Sequence, residues 1–431
     1  MNKPRLAAAL LLCALLCGCG GSGTESAEAQ DAADIPATVP LGGWDYAPGT
    51  HAIFLAGDDV SAEELRAALA ALPELRKLEY PHCPYDTGTQ LALTADYPEV
   101  EFHWPVRWAG QELHSDDEYL DLQGMEQDMD ALLGTLPLFP RLKQVELPGW
   151  TVSGSEAAAL YAAFPDTLFR YETELFGRRF DTAAEEIDLS GVEMEDTGAL
   201  ESALVHFPRL RKVDMCDCGL DNETMDALNR RHEGIEFVWI VQVFCHGIRT
   251  DATYYTMYNA ERYITPGVGT ENFRYCHDMI ALDLGHSGAS TADLAFLSEM
   301  PHLQYLIIAE CHVDDITVIG ELHELTYLEM FLNPVRDLSP LLNCPKLTDL
   351  NICYMFALPP ECSDILKEMT QLERLWFYGQ RLGRERLDEL MEALPDCDIQ
   401  YIWGPESTGG GWRQHEHYYA MRDALHMHYM N

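Results

Sequence analysis

The chain has 431 residues, 47% of them hydrophobic, which is enough for a core and fits two or three globular domains as well as one long repeat array. Against 71 acidic side chains stand 28 basic ones, only six of them lysine, for a formal charge of −43. That balance argues against nucleic acid as a partner, because phosphate binding needs clustered Lys and Arg, and no later apolar run approaches the roughly 18 residues of a membrane span.

Lys3 and Arg5 precede the apolar run Leu6 to Leu16, so residues 1–18 read as an export signal that takes no part in the fold. The phrase Leu16-Cys17-Gly18-Cys19 resembles the bacterial lipobox. That resemblance implies that Cys19 is acylated and anchors the protein to the bacterial cell envelope, facing outside the cytoplasm. Residues 19–43 are Gly, Ser, Ala, Asp, Glu and Pro with almost nothing to bury, which predicts a disordered tether. As a random coil it would span on the order of 25–30 Å.

From Trp44 on, strand phrases centred on Ile53, Leu120 and Ile187 recur at one constant interval. A second set, Leu78, Val145 and Val213, keeps the same interval to within one position, and a third, Phe102, Phe169 and Phe237, does so again. Three registers sharing one period make residues 44–243 three tandem modules. Ser61 with Glu64 and Ser153 with Glu156 form capping-box patterns, and Leu65, Leu69 and Leu72 continue at helical spacing until Pro73. The stretch from Phe169 to Ile187 is shorter than a usual coil, which predicts extended or hairpin connections there.

The next strand phrase is centred on Leu282, so residues 244–276 read as an insert, carrying Tyr254, Tyr255, Tyr258, Tyr263, Phe273 and Tyr275. It is either a contact loop or a loop folding its own aromatics onto the flank of the array. Residues 277–403 then repeat an L-x-x-L-x-L phrase with central leucines Leu306, Leu328, Leu350 and Leu375. Their intervals fall within the roughly 20–29 residues of one solenoid coil. Counting every phrase predicts fifteen strands in one parallel ladder. Residues 404–431 place Tyr418, Met421, Leu425 and Tyr429 at helical spacing and read as a cap on the last coil.

These repeats resemble bacterial leucine-rich-repeat lipoproteins. Leu325 to Leu341 is similar to the internalin form, with Asn333 at the ladder asparagine and Cys311 in its place one coil earlier. The three longer modules look more like the helix-backed repeats of ribonuclease-inhibitor type. The resemblance implies an α/β fold: a leucine-rich-repeat solenoid with a concave parallel sheet and helices or irregular turns on the convex side.

With leucines pointing inward, the residues between them line the concave face. Tyr305, Tyr327, Asp349 and Arg374 then form one column, Ile307, Glu329, Asn351 and Trp376 the next, and Phe331 and Tyr378 a third. Aromatics and arginine are enriched at binding hot spots. The expected binding residues are therefore Tyr305, Tyr327, Glu329, Phe331, Asp349, Asn351, Arg374, Trp376 and Tyr378. The competing expectation is that the tail or the insert folds over this patch and makes it core. Glu79, Asp121, Glu146, Asp188, Asp214 and Asp283 predict a carboxylate stripe over the earlier strands.

The pairs His415/His417 and His426/His428 invite a metal, but no cysteine or carboxylate spacing accompanies them, so no metal site is expected. Cys83, Cys218 and Cys311 fall at the ladder position and read as structural. There is no phosphate loop, no G-x-S-x-G, no H-E-x-x-H, and no cofactor is implied. The expected function is non-catalytic recognition of an extracellular protein or peptide by a cell-surface lipoprotein, with the membrane reached by lipid anchor only. Glycan or cell-wall binding through the same aromatics is the alternative, and an extracellular hydrolase ranks last.

Overall fold

The computed structural model describes residues 38–57, 59–108, 110–244, 246–257, 269–401 and 411–427. The export signal, Cys19 and the tether up to residue 37 lie outside the described residues, as do Tyr258, Tyr263, His428 and Tyr429. Two compact units divide the chain: residues up to Asp117 with Gly134–Arg141 form one, and Glu118–Leu133 with Leu142 onward form the other.

The first unit begins with an antiparallel pair, β1 (Val39–Leu41) and β2 (Trp44–Tyr46). Val39 and Leu41 are buried, so the tether reading of 19–43 overruns by a strand. Two apolar residues at alternate positions suffice for one face of a strand, although the surrounding composition hides them. Strands β3 (Ala52–Phe54), β4 (Lys77–Glu79) and β5 (Glu101–His103) are parallel, with Ile53, Leu78 and Phe102 in register and buried. Helix Ala62–Ala71 starts at the expected box, Ser61 accepting from the Glu64 N–H while the Glu64 carboxylate returns to the Ser61 N–H at 2.8 Å. It buries Leu65, Ala68 and Leu69. A hairpin, β6 (Pro105–Trp108) and β7 (Gln111–His114), follows β5.

The second unit repeats that plan. Strands β8 (Tyr119–Asp121), β9 (Gln144–Glu146) and β10 (Leu168–Arg170) form a parallel sheet, followed by the hairpin of β11 (Glu172–Leu175) and β12 (Arg178–Asp181). Strands β13 (Glu186–Asp188), β14 (Lys212–Asp214) and β15 (Glu236–Val238) form another, followed by β16 (Ile240–Val243) and β17 (His246–Arg249). Each hairpin returns to its third strand through one buried hydroxyl. Ser115 Oγ donates to the Phe102 carbonyl and accepts the Trp104 N–H, and Thr182 Oγ1 does the same with Phe169 and Tyr171. Thr250 Oγ1 accepts the Trp239 N–H at 3.2 Å.

The remaining strands form one parallel sheet in sequence order: β18 (Tyr254–Thr256), β19 (Ala281–Asp283), β20 (Tyr305–Ile307), β21 (Tyr327–Glu329), β22 (Asp349–Asn351), β23 (Arg374–Trp376) and β24 (Asp398–Gln400). Tyr255, Leu282, Leu306, Leu328, Leu350, Leu375 and Ile399 align across it. Short 3-10 turns join most of these strands, and the inward leucines belong to a core continuous from Leu175 to Leu394. Asn333 holds its turn as expected, donating to the Ile308 and Met330 carbonyls at 2.8 and 3.0 Å and accepting the Val313 N–H. Cys311 and Cys218 do the same work with longer contacts to the Leu284 and Leu189 carbonyls.

Two expectations are corrected. Instead of fifteen strands in one ladder there are sixteen, as three sheets of three and one of seven, among the described residues. A two-stranded hairpin pairs antiparallel with itself, so it stops the parallel ladder at the end of each module. The sixteenth strand is β18, inside the stretch 244–276. Its central Tyr255 stands within one position of a full module period after Ile187, but a tyrosine in place of the leucine breaks the repeat phrase there.

Candidate functional site

The strand register brings the expected residues together. Tyr305, Tyr327, Asp349 and Arg374 stand opposite one another across β20 to β23, with Ile307, Glu329, Asn351 and Trp376 in the adjacent column. They are not open to solvent. Tyr327, Glu329, Asp349, Asn351, Arg374, Trp376 and Tyr378 are buried, and Tyr305 and Phe331 are half-buried.

The cover is the C-terminal segment. Helices Gly411–Gln414 and Glu416–Ala424 lie on the face of the sheet opposite the leucines, burying Trp412, Met421 and Leu425 against Ile307, Tyr327, Trp376 and Tyr378. A cap at the end of the array, as expected from the sequence, would not make these contacts. Covering the aromatic face takes its rings out of water, which favours docking there.

Trp412 is the centre of the seam. Its ring lies 5.5 Å from those of both Tyr327 and Trp376, and its indole N–H donates to Glu329 Oε1 at 2.6 Å. The Arg374 guanidinium sits 4.2 Å above the same indole and donates to the Trp412 carbonyl. Arg374 also pairs with Asp349, both side chains being almost fully buried. Two donors at this seam, Arg374 Nη2 and Trp376 Nε1, are buried without a hydrogen-bond partner among the described residues. Further along, Tyr254 stacks on His426 at 4.2 Å.

Burial governs the electrostatics. The Tyr327 hydroxyl, deep in the seam and hydrogen-bonded to Glu329, is held well above the usual phenol range by burial and by that carboxylate's charge. Asp283 lies on β19 beside a cavity of about 290 Å³ between sheet and tail, which Glu329, Phe331 and Tyr418 also line. Burial pushes its carboxyl up to about 6.

The expected carboxylate stripe is not one open surface. Glu146 and Asp188 lie within 3.4 and 3.8 Å of Arg170 and Arg178, Asp214 is hydrogen-bonded to Arg249, and Asp283 is buried. Arg178 and Arg249 come from the hairpins that the sequence does not place. Of the aromatics in 244–276, Tyr255, Phe273 and Tyr275 are buried against the array, and Tyr254 is partly exposed.

The nine described cysteines carry no disulfide, and burial raises their thiols, Cys216 and Cys353 to about 12. They are poor nucleophiles in that state. Among the described residues, one group of three metal-ligating side chains comes together: Asp349, His415 and His417, within 4.8 Å of one another. The carboxylate lies on a strand far before His417 in the chain, so no local spacing in the sequence reveals it.

No family model matches this sequence, and no curated protein matches it at a significant level. Solved structures that are similar include an internalin C2 of Listeria monocytogenes, 16% identical with a TM-score of 0.28 over 38% of this chain and 79% of its own. A second internalin of that organism is 14% identical with a TM-score of 0.26, covering 80% and 86%, and a leucine-rich-repeat protein of Leptospira interrogans is 11% identical at 0.27, covering 77% and 91%. Scores this low leave the fold resting on the coils themselves. The inward leucines in register, the parallel ladder and the asparagine of the turn decide it.

The fold is that of a leucine-rich-repeat solenoid. Its seven-stranded sheet carries the aromatic seam on the face away from the leucine core, and its helices and 3-10 turns run between the strands. No described helix is long and apolar enough to cross a membrane.

Proposed function

We propose that β19 to β23 form a non-catalytic binding face for an extracellular protein or peptide, on a protein anchored to the cell envelope through acylated Cys19, and that the C-terminal segment occupies this face as an internal ligand. The observation that carries this reading is the seam itself. A short segment presents one indole, two apolar side chains and one carbonyl to a surface of aromatics and paired charges, which is how a peptide anchor binds. Among the described residues the fit is incomplete, because Arg374 Nη2 and Trp376 Nε1 are buried there without a hydrogen-bond partner. Each such donor costs about 1–3 kcal/mol. A partner segment that carries an aromatic anchor and offers acceptors to both donors would therefore displace the tail.

Glycan recognition through the same rings finds less support, since the ring faces that a sugar would stack on are covered by Trp412, Met421 and Leu425. The test is a binding screen of the full chain beside Trp412→Ala against extracellular proteins and aromatic-anchored peptides. A ligand that binds the variant about tenfold or more tighter, because the tail no longer competes, supports the reading. Equal affinity for both forms would place the binding surface elsewhere.

A further inference from the structure

We propose that Asp349, His415 and His417 form a site for a borderline divalent metal ion such as Zn2+, which clasps the C-terminal segment to the sheet. The donor set is two imidazoles and one carboxylate, all within 4.8 Å of one another. Around a tetrahedral zinc the ligand atoms stand roughly 3.3 Å apart, so the group needs only a modest contraction. Asp349 is fixed: it is buried on β22 and held by Arg374 and by the Thr348 hydroxyl at 2.7 Å. The histidines are half-buried, at the start of helix Glu416–Ala424, and can turn toward it.

The protons already lie where an ion would replace them. His417 Nδ1 and Asp349 Oδ2 share one hydrogen bond of 2.9 Å. A metal between these atoms takes the place of that proton, which moves to Nε2, where the Glu373 carboxylate lies 3.8 Å away. Carboxylate, histidine and metal in that order are the usual outer-shell arrangement, fixing the tautomer and raising ligand basicity. The His415 lone pair on Nδ1 is now held by the His417 N–H at 3.2 Å, a long contact that gives way to a metal bond. No oxidant or reductant enters, and the proton displaced from Nδ1 is kept on Nε2.

The position gives the ion its consequence. Asp349 belongs to the sheet and both histidines to the tail, so a bound ion crosslinks the two beside the seam at Trp412. Metal loading would hold the face closed and metal loss would loosen it. The site stands on its ligand geometry, whether or not the face binds a protein partner.

The test uses the full chain, purified without a histidine tag and stripped with a chelator, and titrated with Zn2+ and then with Co2+. The expected result is one ion per chain, the visible bands of four-coordinate cobalt, and proteolysis of the tail slowed about tenfold or more by zinc. His415→Ala and His417→Ala should each abolish both effects, while His426→Ala, on the same segment outside the group, keeps them. Glu373→Gln should weaken binding about tenfold and keep the stoichiometry, and because Glu373 is exposed this variant folds even where the histidine variants do not. Absence of saturable one-to-one binding overturns the proposal, and so does uptake that is unchanged in His415→Ala and His417→Ala or in Glu373→Gln.

Discussion

The indole N–H of Trp412 donates to the Glu329 carboxylate at 2.6 Å, joining residues 83 positions apart. That bond and the two flanking rings make Trp412 the residue on which tail docking depends. Truncating a buried Trp costs about 3–5 kcal/mol, more than a two-helix tail is expected to hold in reserve. Trp412→Ala should therefore release the tail while the repeats stay folded. In hydrogen exchange, amides of 416–424 lose protection and those of β20 to β22 keep theirs. Trp412→Phe keeps a ring and loses the donor, for a smaller loss of about 1–3 kcal/mol. Unchanged protection of 416–424 in the alanine variant would remove Trp412 from this role.

Thr182 is fully buried and satisfies two backbone groups at once, the Phe169 carbonyl at 2.9 Å and the Tyr171 N–H at 3.0 Å. Thr182→Val keeps the shape and leaves the Tyr171 N–H unpaired, at about 1–3 kcal/mol, while the Phe169 carbonyl keeps the Tyr161 hydroxyl at 3.2 Å. Chemical denaturation should show a loss of about 1–3 kcal/mol, and Ser115→Ala should show at least as large a loss in its own unit. Thr173→Val, half-buried in the same hairpin, should move stability by no more than about 0.5 kcal/mol. Equal effects at Thr182 and Thr173 would mean that the hydroxyl latch adds nothing.

The leucine registers, the capping boxes at Ser61 and Ser153, the ladder residues Asn333 and Cys311, and the columns from Tyr305 to Trp376 were all legible in the sequence, because each is a local pattern or a repeat of one. The hairpin latches were not, since Ser115, Thr182 and Thr250 share the module period but are single polar residues among many. Strand β18 was missed because Tyr255 fills a leucine position. The tail contact was hardest to read. Helical spacing at Tyr418, Met421 and Leu425 shows that one face is apolar, and says nothing about which apolar surface it meets. The same limit hid the third metal ligand: only the fold brings Asp349 beside His417.

Asn333 tests the ladder. Its amide makes three bonds to backbone at 2.8–3.0 Å, two given and one received, and it is buried. Asn333→Ala should cost about 2–4 kcal/mol by leaving these groups unpaired, seen as a lower midpoint in urea. Asn333→Cys, the chemistry that Cys311 already provides one coil earlier, should restore part of the loss. A cysteine no better than alanine would show that the contacts from Cys311 to the Leu284 and Ala309 carbonyls are incidental.

Asp283 gives the pH dependence. Burial, aided by the charge of Glu329, raises its carboxyl from the ordinary 3.8 to about 6, against the Gly285 N–H and Thr256 hydroxyl that favour the charged form. Between about pH 4 and 6 the folded chain holds a proton that the unfolded chain has lost, so this group's contribution falls as pH rises through that window. Above it the carboxylate is buried and charged. The displacement corresponds to about 3 kcal/mol, to order of magnitude. Asp283→Asn removes the charge and keeps the shape, its oxygen still accepting from Gly285 and its amide donating to Thr256. The variant should be more stable than the parent by up to about 3 kcal/mol at about pH 7.5 and nearly equal to it at about pH 4. Denaturation at both pH values decides it, because a difference that does not change with pH would mean that Asp283 is not held protonated by its burial.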